Sequence, residues 1–532
     1  MRKFRSLLSL NFRAMLTTFR FGGRKSGRHA TGAGALLLLA GLSLYLSGVY
    51  SFLFAAQLAQ VGQLSLLLPI MSLLAVVMGV LFSLFAAQGV VFGTRDNDLM
   101  LALPVSAFTL MLSRTLALYL ENLVSVFFML LPAGAAYLWH GGGGGVVFFL
   151  LLILSALFLA LLPTLISLTA GYVLAVLSGK TARRALWSNL FYLLFFLLLF
   201  WGLFRFNRIL TQMGQAAGSI RTALSGWALP LLLMERGLCS GDALALLGFF
   251  ALCLLPFLLV VRLFAMRYKQ IVTRLSARSV RSDYRLERLS SAGPRRALLK
   301  REALRFFGTP VYLFNAGFGL LLLPVAGVAA LFQRARLDAL LAQVEAGGLT
   351  LPLTGLLAAG IWFVLSTAAV TASSISLEGN RLWILKEAPV GTATLFRIKA
   401  GFQLLLTLPC LLTGTALLSL ALGLSWLDGL LVALSGIAFA LFTAPFGLYV
   451  NLCFPKLDAL SDAAVVKQSA ASLIGVLVPM AVSLAGLLLQ IALGGLVGES
   501  LLLLVCTAAL LVCAALMERH LLRAGAARFQ AL

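Results

Sequence analysis

The chain has 532 residues, of which 61% are hydrophobic and only 11% charged, with a mean hydropathy of +1.04. A soluble chain carries about 45–50% apolar and about 25% charged residues, so one water-solvated core cannot hide this much apolar surface. The formal net charge of +24 would suggest nucleic acid in a soluble protein, but the basic residues lie between long apolar runs, so membrane lipids are the expected partner and nucleic acid is not.

The apolar runs are continuous instead of alternating with period two, which predicts spanning α-helices and excludes a barrel. The N-terminus is basic to about residue 30, and the run after it is long enough to span, so it reads as a retained first helix and not a cleaved signal. The spans are expected at 33–56, 64–92, 108–138, 146–178, 186–206 and 243–265, then at 311–332, 351–376, 398–423, 427–454, 469–494 and 498–517. Residues 212–236 carry Arg221, Glu235 and Arg236 and read as a re-entrant or surface helix pair on the outer face. Residues 1–21 and 295–308 read as amphipathic interfacial helices.

Charge tests this layout. With the N-terminus inside, 35 of the 41 Lys and Arg residues fall on the cytoplasmic side and six outside. Gaining or losing one span would scramble that bias. The expected fold is therefore an all-α polytopic membrane protein with about twelve spans and both termini cytoplasmic. It divides into a first half (1–264), a basic cytoplasmic linker with an amphipathic helix (265–310) and a second half (311–532). Six spans per half make the halves parallel repeats.

A local motif recurs after the second span of each half. The first copy runs from Asp96 through Asp98, Leu99 and Leu101 to Pro104-Val105; the second runs from Arg381 through Trp383, Ile384, Lys386 and Glu387 to Pro389-Val390. Ten residues beyond each proline stands a base, Arg114 and Lys399. Each loop predicts a short amphipathic helix ending before its proline, and Glu378 is grouped with the second. Such a helix either anchors at the interface through Trp383 or docks a soluble partner, and a two-fold partner would need two similar knobs.

Catalytic signatures are missing. Ser178-Gly179-Lys180-Thr181 has Leu174 where a phosphate-binding loop needs glycine. The glycines at 141–145 read as an outer turn. The six cysteines form no CxxC pair, and His29, His140 and His520 lie far apart at the ends of apolar runs. The expectation is a chain that is not an enzyme and binds no cofactor or metal itself. One acid, Glu121, stands well inside a span, beside Asn122 and two turns after Arg114. It is either a packing residue or part of a substrate or ion path.

The chain resembles the ABC-2 type exporter permeases in the long single-chain form that fuses two six-helix halves. The second half carries the likeness: Lys300-Arg301-Glu302, Arg305-Phe306-Phe307, Thr309-Pro310-Val311-Tyr312, Leu377-Glu378-Gly379, Trp383-Ile384-Leu385-Lys386, Phe454-Pro455-Lys456 and Val465-Val466-Lys467. The resemblance implies a permease subunit in a bacterial cytoplasmic membrane. Two copies of a separate ATP-binding cassette ATPase would dock on its inner face and bring the ATP. The two motif loops would be coupling helices on that ATPase. The short stretch at about 494–498 departs from the family, which places a re-entrant pair before the last span of each half. The alternative is a secondary transporter of the major facilitator type, which also has twelve spans in parallel halves. Its usual Gly–Asp–Arg–Gly loop is not matched by Gly93-Thr94-Arg95-Asp96.

Overall fold

The computed structural model describes residues 30–87, 104–179, 228–277, 293–346, 352–459, 462–467 and 469–532, with isolated positions between them. All regular structure among these residues is helical. Nine of the helices are long and apolar enough to cross a membrane, or ten if one bent pair counts as a span. The span expected at 186–206, most of the 212–236 segment, the helix expected at 1–21 and Asp96, Asp98, Leu99 and Leu101 lie outside the described residues. The chain separates into two compact units, His29–Asp283 and Tyr284–Leu532, apart from short N-terminal stretches.

In the first unit, α1 (Ala30–Gln60) is followed by α2 (Leu67–Ala86), α3 (Ala107–Trp139), α4 (Gly145–Leu159), α5 (Leu161–Gly179), α6 (Leu229–Cys239) and α7 (Ala243–Ala277). Ser106 caps α3 by accepting from the Thr109 amide at 3.2 Å. The glycine run makes a tight helical hairpin. Gly141, Gly144 and Gly145 have φ of +94°, +111° and +51°, a region that costs other residues a Cβ clash. Tyr137 stacks on Phe148 at 5.0 Å across that turn. Between the helices, polar side chains pair where lipid cannot solvate them. Ser83 meets Ser167 at 2.6 Å, and Asn122 donates Nδ2 to Thr164 Oγ1 at 3.1 Å. The helix α7 continues to Ala277, about three turns beyond the span end expected at 265.

In the second unit, α8 (Pro294–Gly308) leads into the bent pair α9 (Pro310–Ala316) and α10 (Phe318–Phe332), which meet at 47°. The amphipathic helix expected at 295–308 is present as α8, with Glu302 and Phe306 buried and Arg296, Lys300, Leu304 and Phe307 exposed. Next come α11 (Arg334–Ala346), α12 (Leu353–Thr367), α13 (Thr371–Ser374), a 3₁₀ segment (Ser376–Arg381), α14 (Leu382–Glu387), α15 (Thr392–Ala421) and α16 (Trp426–Cys453). The chain then forms α17 (Asp462–Val466), α18 (Ala470–Val497) and α19 (Glu499–His520). A π-turn (Leu521–Gly525) leads to a terminal helix, α20 (Ala526–Ala531). Trp362 anchors the core by stacking on Phe439 at 5.6 Å while donating Nε1 to Ser435 Oγ at 3.3 Å.

The span expected to run unbroken over 351–376 is interrupted. The helix α12 stops at Thr367, and Gly379 takes φ +52° on the way to α14. Broken backbone inside a bundle is tolerated only where other groups satisfy its donors and acceptors, and here they do. Tyr312 OH donates to the Val370 carbonyl at 2.6 Å. Gln403 Oε1 accepts from the Thr371 amide at 2.9 Å. Asn451 Oδ1 accepts from the amides of Ile375 at 2.7 Å and Ser376 at 3.0 Å.

Candidate functional site

The site lies in the second unit, where this broken segment meets α8 and α15. Lys399 projects from the second turn of α15 with its side chain fully buried. Its Nζ donates to Glu302 Oε1 at 2.6 Å and also reaches Glu378 Oε1 and the Ser374 carbonyl, each at 3.4 Å. Glu378, also fully buried, takes two further cations from α8. Arg301 donates to Oε2 at 2.6 Å, and an Arg305 guanidinium nitrogen lies 2.5 Å from Oε1. Three cations and two carboxylates thus tie α8, the broken segment and α15 into one corner. Buried ions need this degree of mutual pairing, because losing one partner strands the others in low dielectric.

This geometry revises one expected role. Glu378 does not stand among the exposed charges of the second motif loop but turns inward. The backbone reversal at Gly379 separates it from Arg381, which is exposed. The rest of that loop is laid out as a knob. On α14, Leu382 and Leu385 are buried among Phe396, Leu448 and Leu452. Trp383 and Ile384, on the other side of the helix, are 62% and 45% exposed. Lys386, Glu387 and Pro389 are exposed around them. The helix ends at Glu387, and Ala388 before Pro389 is extended, as the proline favours.

The first unit has a related arrangement. Arg114, on the first turns of α3, is buried and donates to the Val91 carbonyl at 3.2 Å and to Tyr268 OH at 2.5 Å. Tyr268 OH in turn donates to the same Val91 carbonyl at 3.0 Å. In each unit, then, the base ten residues beyond the proline is buried against a carbonyl of the chain that precedes the loop. Pro104 is exposed; the loop residues before it, Asp96, Asp98, Leu99 and Leu101, are outside the described residues. Glu121 is half-buried on α3 beside the buried Asn122. Among the described residues no group of three His, Cys, Asp or Glu side chains is placed to hold a metal ion.

Several participants escaped sequence reasoning. Glu302 stands in the basic segment 295–308, where no local pattern gives it a role of its own. Gln403 and Asn451 are lone amides in apolar runs, and the same argument that singles out Glu121 also applies to them. The terminal helix α20 follows the last span and shows only weak spacing of Leu522, Ala526 and Phe529. Comparisons with protein-family models, with curated proteins and with solved structures find no match to this chain.

Proposed function

We propose that the chain is the membrane-spanning permease subunit of an ATP-driven exporter, with ATP hydrolysis carried out by a separate ATP-binding cassette ATPase on the cytoplasmic face. The observation that carries this reading is α14. It is a six-residue helix fastened by Leu382 and Leu385 while a tryptophan and an isoleucine stay exposed beside it. An exposed aromatic on a rigidly backed helix is the form of an interface anchor. The segment that leads into α14 carries Glu378 of the ion corner, so a push on the knob reaches α8 and α15 through that segment. In this reading the chain has about twelve spans in two parallel repeats, both termini are cytoplasmic, the membrane is the bacterial cytoplasmic one, and two ATPase copies bind. Neither ATP nor another cofactor binds this chain, and substrate passes outward.

Trp383→Ala tests the docking role. Loss of an anchor of this kind costs about 2 kcal/mol or more, roughly a thirtyfold weaker assembly. The variant should insert and express normally, since the indole supports little of the fold. It should retain less ATPase when the tagged chain is purified in detergent, and Leu99→Ala should do less. Wild-type retention by Trp383→Ala would show that the indole only anchors at the lipid interface.

The buried charges favour one second reading, a secondary transporter of the major facilitator type that uses Glu302, Glu378 and Lys399 in proton coupling. Proton-driven transport by the purified chain alone in liposomes would put that reading first.

A further inference from the structure

The second-unit docking surface does not end at α14. The terminal helix α20 packs beside it: Phe529 is buried in the same apolar cluster as Leu382 and Leu385 and meets Phe396 edge-on at 5.8 Å. Lys386 Nζ donates to the Gln530 carbonyl at 3.3 Å. Nearby, Arg397 pairs with Glu518 at 3.5 Å, and the Arg528 guanidinium lies 5.5 Å from the Tyr449 ring centre. Arg381, Lys386, Arg397, Arg523 and Arg528 are all exposed, against the exposed acids Glu387 and Glu518. Exposed cations therefore outnumber exposed acids among these residues, and three of the cations are held by protein contacts.

Resting on the docking reading above, we infer that α14 and α20 form one composite surface that takes a protein cleft with an apolar floor and an acidic rim on the ATPase. Charge complementarity selects the acidic rim, since like charges facing each other across an interface oppose association. A bilayer is the weaker occupant. Glu387 and Glu518 lie among the cations and would face anionic headgroups, whereas α8 presents exposed Leu304 and Phe307 beside Arg296 and Lys300, the pattern of a lipid-facing helix. In the composite surface α14 supplies the apolar anchor, and Arg523 of the π-turn and Arg528 of α20 add to the charge that steers and orients it.

The test places a photoreactive amino acid at exposed Ile384 or exposed Ala527 of the full-length chain in its own membrane, and identifies each adduct by peptide sequencing. The expected result is that both positions attach to the same ATP-binding cassette ATPase, within peptides of one cleft that carry Asp or Glu. Attachment of Ile384 to the ATPase with Ala527 attached only to lipid, or to nothing, overturns the composite surface and leaves the docking reading standing. Failure of both positions to reach an ATPase overturns both. In the co-purified complex, Lys386→Glu with Arg523→Glu should lower ATPase retention about tenfold at low salt and flatten its salt dependence, with the variant still eluting as a monodisperse peak. Unchanged retention and salt dependence would overturn the acidic rim.

Discussion

Lys399 and Glu302, 97 positions apart in the chain, meet through a 2.6 Å contact between Nζ and Oε1 with both side chains buried. The pair joins α8, which enters the second unit, to α15, which follows α14. A buried pair is weak as a net source of stability but costly to break from one side.

Lys399→Met should therefore destabilise the protein by about 3–5 kcal/mol, because Glu302 is left without its close cation. Adding Glu302→Gln should recover part of that loss, while Glu378 keeps Arg301 and Arg305. Thermal unfolding of the two single variants and the double variant in detergent gives the coupling energy, expected at about 1–3 kcal/mol. Strict additivity would show that the contact contributes nothing specific.

Glu121 is half-buried and has a polar or electrostatic partner. As a packing residue it should tolerate Gln, which preserves hydrogen-bonding capacity, with stability and transport both retained. Glu121→Leu should cost about 1 kcal/mol, since it removes one side of a partly buried polar contact. A stable Glu121→Gln protein that no longer transports would place the residue in the substrate or ion path.

Topology follows from the charge bias. Reporter fusions at Gly143 and Gly348 should report the outside, and fusions at Ser291 and Leu532 the cytoplasm. Gly143 lies in the tight turn between α3 and α4. A cytoplasmic signal there would invert the hairpin and the orientation of every span around it.

Lys456 lies in the connection after α16, outside the spanning helices, with its Nζ 3.4 Å from the Ala464 carbonyl. Burial pushes its ammonium down from 10.5 to about 8. Between those two values the unfolded chain binds more protons at this position than the folded one, so this lysine makes stability rise with pH across that window. Below it the desolvation penalty is present in full. Lys456→Gln should raise thermal stability at pH 7 and abolish this share of the rise towards pH 10. The readout is the difference between variant and wild-type melting temperatures at the two pH values. A difference that does not change with pH would show that the ammonium is solvated.

Helical membrane character, the amphipathic helix α8 and the short helix that stops before Pro389 were legible in the sequence. Each depends on composition, helical spacing or a proline, and these act over a few turns of local chain. The base ten residues beyond each proline was legible as a position, but its burial was not. Only the tertiary structure decided that Glu378 turns inward, since that follows from the reversal at Gly379 and from Arg301, Arg305 and Lys399 converging from distant segments. The break after Thr367 was equally hidden. An apolar run looks continuous to any local measure, and the break survives because Tyr312, Gln403 and Asn451 satisfy its backbone from three other helices. The placement of α20 against α14 has the same origin: Phe529 finds its apolar pocket only once α14, α15, α16 and the π-turn have been brought together.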